Sequence, residues 1–168
     1  MNFAILATGP SLTKAQANAV CEKFTVIAIS DAIRLAPWAD VLVSSDAAWW
    51  RHHQPSFEGR RFSAQEYEGC EQIAGVKSGL GSGALAIKVA RFLGAKRIIL
   101  LGYDSHGTHF FGKHPQPLKN TTQSQRMIHR DQLAEESRIC QREGVEVVNA
   151  TPGTMLQCFR IAPLEAIS

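Results

Sequence analysis

The stretch Ser78 to His114, S-G-L-G-S-G-A-L-A-I-K-V-A-R-F-L-G-A-K-R-I-I-L-L-G-Y-D-S-H-G-T-H-F-F-G-K-H, leaves few folds open to this chain. It reads as a Gly/Ser turn, a helix, a buried strand and a polar loop rich in histidine. Gly79, Gly81 and Gly83 free the backbone for positive φ or for close approach to a ligand. Ser82 stands where an N-cap hydroxyl belongs. Leu85, Val89, Phe92 and Leu93 fall on one helical face, and Gly94 supplies the stop. Arg97 to Leu101 is a short apolar run, the mark of a strand covered on both faces. Gly102-Tyr103-Asp104 follows at that strand's carboxyl end, the edge at which open parallel sheets bind ligands. His106, His109 and His114 come within the next dozen residues, so chemistry is expected there.

The rest of the chain repeats the pattern. Phe3 to Ala7 reads as a strand running into Thr8-Gly9-Pro10-Ser11-Leu12 and a helix from about Thr13 to Cys21. A strand, a glycine turn and a helix start make a natural phosphate or ribose cradle, because first-turn N–H groups lack backbone partners. The turn is neither GxGxxG nor a P-loop, and a plain strand-to-helix turn stays open as the alternative. Thr25 to Ile29 is the second strand and ends at Ser30-Asp31; Asp40 to Val43 is the third and ends at Ser44-Ser45-Asp46. Either aspartate suits a ribose hydroxyl or a helix cap. Trp49-Trp50-Arg51-His52-His53 opens a short helix on which the two rings point apart, one inward and one toward a cleft. His52, His53 and His129 read as exposed. Gln54 to Glu71 is a loop around a short strand near Arg60 to Ser63, and Ile73 to Val76 reads as an edge strand. Thr121 to Glu143 is a long helix with a split apolar pattern, Met127, Leu133, Ala134 and Cys140 on one arc and Ile128 and Ile139 on another. Such a helix suits contact with both the sheet and a second subunit, so a homo-oligomer is expected. Val145 to Val148 is the last clear strand, closed by Asn149 to Thr154, and Leu156 to Ile161 is an apolar tail.

Strand and helix alternate throughout, which predicts an α/β fold: a Rossmann-like, doubly wound, mostly parallel sheet with helices on both faces. The 168 residues suffice for one domain, 1–168. The net charge of +3 is mild and its cations are scattered, so no nucleic-acid partner is expected. No apolar run approaches the roughly 20 residues of a membrane span. The N-terminus lacks a basic n-region, so no signal peptide is expected. Cys21, Cys70, Cys140 and Cys158 are far apart and read as free thiols of a reducing, cytoplasmic compartment.

Five stretches in order carry a resemblance: T-G-P-S-L; S-G ahead of the helix; L-G-A-K-R-I-I-L-L-G-Y-D; H-F-F-G-K-H; and V-N-A-T-P-G-T-M-L-Q-C-F. Together they resemble the Rossmann-like superfamily of bacterial CMP-sialic-acid sialyltransferases and MptE-like 6-hydroxymethylpterin diphosphokinases. A-P-W-A-D-V-L, D-x-x-W-W and H-P-x-x-L-x-N look closest to short members encoded by phages or prophages, which work in the cytoplasm of a bacterial host. The resemblance implies a small-molecule nucleotide or nucleotide sugar as partner. It implies that Gly9, Pro10 and Ser11 hold phosphate or ribose, with Ser30 and Asp31 near the nucleotide. Ser78 and Gly79 would lie near its phosphate, and Thr151 to Leu156 would form a closing turn near the nucleotide, with Thr151 and Thr154 as contacts. His114 is the best match to the transferase general base, with His109 the other candidate. His106 stands where the family has a tyrosine that assists the departing phosphate, and Asp104 closes the G-x-D signature. Ala7 replaces the usual first glycine, Ser30 an asparagine, and the acceptor lid of larger enzymes is missing.

Transfer from a CMP-type nucleotide sugar needs a base for the acceptor hydroxyl and donors for the departing phosphate. A diphosphokinase would instead use ATP and Mg²⁺ held near carboxylates such as Asp46 and Asp104. A non-catalytic phage protein that keeps the fold for assembly or host interaction is the third reading. The irregular spacing of His106, His109 and His114 does not suggest a metal site with Asp104.

Overall fold

The computed structural model describes residues 1–167. Seven strands form one sheet in the order β4-β3-β2-β1-β5-β6-β7, and every neighbouring pair is parallel. The strands are β1 (Asn2–Leu6), β2 (Thr25–Ile29), β3 (Val41–Val43), β4 (Arg60–Phe62), β5 (Arg97–Leu101), β6 (Glu146–Asn149) and β7 (Arg160–Ile161). Four helices connect them: α1 (Lys14–Val20), α2 (Ala47–His53), α3 (Ser82–Phe92) and α4 (Gln123–Glu143). Short 3-10 turns span Ser30–Arg34 and Leu164–Ala166. The predicted doubly wound α/β architecture is the one observed.

Alternate strand residues divide the core between two layers. Phe3, Ile5, Ile27, Ile29, Ile98 and Leu100 face α3 and α4, where they meet Leu85, Val89, Leu133 and Cys140. Ala4, Leu6, Val26, Ala28, Ile99 and Leu101 face the other layer, with Ala17 and Val20 of α1 and both tryptophans of α2. Because both sheet faces are covered, the strands read as unbroken apolar runs. Capping boxes set two helix starts, Thr13 with Gln16 and Thr122 with Gln125. Gly144, at φ +69°, ends α4. No helix among the described residues is long and apolar enough to cross a membrane.

Some local expectations fail. Gly81, not Ser82, caps α3; Ser82 turns its hydroxyl to the backbone N–H and hydroxyl of Ser45, both at 2.9 Å. Ile73 to Val76 forms no strand, because Gly75 at φ +79° folds the segment into a turn closed by Val76 N–H on the Ile73 carbonyl. The apolar tail instead adds β7 beside β6. Trp49 and Trp50 are both largely buried and meet edge to face at 5.1 Å; Trp50 packs inward while Trp49 borders a cleft, as expected. The indole N–H groups go to Asp31 and to the Ser44 carbonyl, each at 3.0 Å. His53 and His129 are half-buried rather than exposed. On α4, Leu133 and Cys140 pack inward while Met127, from the same predicted arc, joins Ile128 in solvent.

Candidate functional site

The chain runs β1 to β4 in one direction across the sheet, then returns through α3 to place β5 on the far side of β1. That reversal opens a crevice at the carboxyl edge between β1 and β5. Two cavities meet in it. One, of about 280 Å³, lies over Gly102 and Tyr103 and is walled by His106, Lys113 and Arg126. The other, of about 440 Å³, extends toward β2 and β3 and is walled by Ser30, Ser44, Ser45, Asp46 and Gln65. Thr8, Gly81, Gly83, His109 and His129 border both. One lobe is therefore cationic and the other rich in hydroxyl and amide groups.

The start of α3 lies where the lobes join. The N–H groups of Ser82, Gly83 and Ala84 lie in the first turn and lack intrahelical partners at the positive end of the helix dipole, and the capping residue, Gly81, has no side chain to take their place. Gln132 of α4 holds the preceding loop, accepting from Gly81 N–H at 2.9 Å and donating to the Gly79 carbonyl at 3.0 Å. Tyr103 fixes the first turn from below, its hydroxyl donating to the Gly83 carbonyl at 3.0 Å. Ser30 and Ser105 adopt left-handed φ of 47° and 59°, uncommon for side chains other than glycine, and both border the crevice.

The histidine loop closes the crevice opposite α3. His109 Nδ1 is 2.8 Å from Thr8 Oγ1, and its ring stacks on Phe111 at 4.9 Å. Burial, with nearby His114 adding to it, holds its pKa below the ordinary imidazole value. Burial does the same for His129. His106 is exposed, with Nε2 3.1 Å from the Gly153 carbonyl. His114 borders the hydroxyl-rich lobe but turns Nδ1 toward Asp31 Oδ2, 3.7 Å away. The Asn120 side chain accepts from its backbone N–H at 2.7 Å.

The other predicted site residues divide in two. Gly9 borders the cationic lobe; Ser30, Asp46, Ser78 and Gly79 border the other. Asp46 also caps α2, accepting from Ala48 N–H at 2.8 Å. Pro10, Ser11, Asp31, Asp104, Thr151 and Thr154 border neither. Asp104 is buried and accepts from the Ser11 hydroxyl at 2.9 Å and the Ser11 N–H at 3.2 Å, tying the loop after β1 to the loop after β5. Thr151 accepts from Tyr103 N–H at 2.9 Å, and Thr154 donates to the Tyr103 carbonyl at 2.7 Å. Asp31 is buried beside His53 and His114. Sequence reasoning missed Gln65, Arg126, His129 and Gln132. The last three recur at helical spacing on α4, a polar stripe that a search for more than apolar faces finds.

No protein-family model and no curated protein matches the chain. Among solved structures, thiamin pyrophosphokinase from Geobacillus thermodenitrificans is similar over 82% of this chain, with 11% identity and a TM-score of 0.46. This chain spans 56% of that one. A likeness so remote says nothing of chemistry.

Proposed function

We propose that the crevice binds a phosphorylated small molecule of the nucleotide or nucleotide-sugar class and supports transfer from it. The observation that carries this reading is the meeting of two unlike lobes at the uncapped start of α3. Phosphate oxygens suit the free N–H groups there, with Lys113 and Arg126 nearby. Ribose, sugar or base suits the lobe lined by Ser30, Ser44, Ser45, Asp46 and Gln65. His109 stands at the junction with its pKa lowered, so it is neutral near pH 7 and ready to accept a proton from an acceptor hydroxyl. In that role Nδ1–H donates to Thr8 and Nε2 is the base. The CMP-sugar reading is favoured over ATP with Mg²⁺ because Asp104, one of the carboxylates the latter wants near phosphate, is engaged by Ser11.

Calorimetry with CMP, CDP, CMP-sialic acid and ATP tests the binding. Cytidine nucleotides are expected to bind, and silence with all four would defeat the proposal. The proton role is read from hydrolysis of the bound CMP-sugar: His109→Ala should bind it within a few-fold of wild type and release CMP at least about 100-fold more slowly. Undiminished release by that variant removes His109 from the mechanism.

A further inference from the structure

Beside the crevice, three side chains converge from distant parts of the chain: Asp31 after β2, His53 at the end of α2, and His114 in the histidine loop. From their geometry we infer that Asp31, His53 and His114 form a binding site for a divalent transition metal of the zinc class. One carboxylate oxygen and one ring nitrogen from each histidine lie within 4.8 Å of one another. His53 Nε2 is 3.8 Å from Asp31 Oδ1, and His114 Nδ1 is 3.7 Å from Asp31 Oδ2. Those separations are too long for hydrogen bonds. They are a little wider than the ~3.3 Å between ligands that bonds of ~2.0–2.1 Å to a tetrahedral ion produce. Small side-chain movements would bring all three onto one centre.

The surroundings fit the same reading. His53 Nε2 is shielded from solvent and has no hydrogen-bond partner. The Asp31 side chain is 4% exposed and accepts a hydrogen bond from Trp49 Nε1 at 3.0 Å, which orients the carboxylate as outer groups orient metal ligands. The His53 ring packs on Trp49 at 4.7 Å, and the His114 ring packs against both Phe111 and His109, at 5.1 and 4.5 Å. Among the described residues, Arg34 is the one Lys or Arg paired with the carboxylate, 3.9 Å from Oδ1, and its side chain is 58% exposed and rests over Phe111 at 5.3 Å. A separate cavity bordered by Asp31, Arg34, Trp49, His53 and Pro55 gives access and room for a water as further ligand. Two imidazoles and a carboxylate suit zinc, cobalt or nickel better than magnesium or calcium.

The test uses the full chain, dialysed against chelator and titrated with Zn²⁺ by calorimetry and with Co²⁺ by visible absorption. Expected are one ion per chain and a Co²⁺ spectrum with ligand-field bands. Asp31→Asn, which keeps an oxygen for Trp49, and His53→Ala should each weaken binding about tenfold or more. His52→Ala, which removes the exposed neighbouring imidazole, should not. Melting curves without metal confirm that the variants fold. The same excess of Zn²⁺ should raise the melting temperature of wild type more than that of Asp31→Asn. The inference is overturned by no binding, by equal affinity in wild type and both site variants, or by His52→Ala abolishing it. Nucleotide titrations play no part in these readouts, so the site and the crevice reading fail separately.

Discussion

Gly9→Ala should destabilise the protein whether or not any ligand is present. The backbone at Gly9 does not need positive φ, so alanine meets no conformational penalty and the effect is purely steric. A Cβ there would stand 1.9 Å from Asp104 Oδ2, 2.8 Å from Asp104 Cγ and 2.3 Å from the Gly102 carbonyl oxygen. None of these atoms yields easily. The Asp104 carboxylate is held by two hydrogen bonds from Ser11, and the Gly102 carbonyl accepts from Gly9 N–H at 2.9 Å. Relief requires the loops after β1 and β5 to part. Overpacking of this kind costs about 1–3 kcal/mol, and weakening a charge-assisted bond from Ser11 adds about 1–2 kcal/mol. A total near 3 kcal/mol lowers the melting temperature of a chain this size by about 6–12 °C. Scanning calorimetry of wild type, Gly9→Ala, Asp104→Ala and the double variant measures it. The glycine substitution should cost about 2 kcal/mol less in the Asp104→Ala background, because two of its three clashes and the bond from Ser11 are already gone. A single variant within about 0.5 kcal/mol of wild type would refute the steric argument. It would leave Gly9 to be explained by close approach of a ligand alone.

Three further outcomes follow from the packing. Arg91 joins α3 to α4 through Glu136 at 2.8 Å and Glu143 at 2.6 Å; Glu136 is buried and, among the described residues, keeps Lys88 alone as ion-pair partner, at 3.3 Å, when Arg91 is removed. Arg91→Ala should therefore cost about 2–3 kcal/mol in urea unfolding. Arg91 hydrogen bonds hold the Glu143 pKa below the usual carboxylate value. The stability this adds is present above the unfolded pKa and lost on acidification, so the variant's deficit should shrink as pH falls. Tyr103 is buried, and burial raises its phenol well above the ordinary value. Its contribution is complete below about pH 10 and is lost as pH rises further. The part of the alkaline absorbance change that coincides with unfolding should vanish in Tyr103→Phe, which also loses about 1 kcal/mol with the bond to Gly83. Burial pushes the thiols of Cys70 and Cys140 up to about 11 and that of Cys158 upward, while Cys21 is exposed. A disulfide reagent at pH 8 should label Cys21 first, and Cys21→Ser should lack the fast phase.

What the sequence made legible is what local rules control. Strands were legible because apolar runs such as Arg97–Leu101 are covered on both faces, α1 because a glycine turn follows a strand, and α4 because apolar residues recur at helical spacing. The order of those elements puts residues after β1, β2, β3 and β5 at one sheet edge, which is why Gly9, Ser30, Asp46 and the histidine loop could be assigned there before any coordinates. Beyond that edge, a side chain's role depends on which helix faces it, and helix azimuth is a tertiary property. Gln132 reaches Gly81 because α4 is held against α3, by the shared core of Leu85, Val89, Leu133 and Cys140 and by Arg91 with Glu136 and Glu143. Asp31 could be read as a cap or a ribose ligand; its surroundings are decided by Trp49 and His53, one α-helix later, and by His114, more than eighty residues away. Asp104 looked catalytic because it follows a buried strand, yet the missing Cβ of Gly9 makes room for its carboxylate to hold Ser11. A glycine and an aspartate at neighbouring strand ends can serve a ligand or each other. Distance alone separates the two cases, and here the close partner of each is the other.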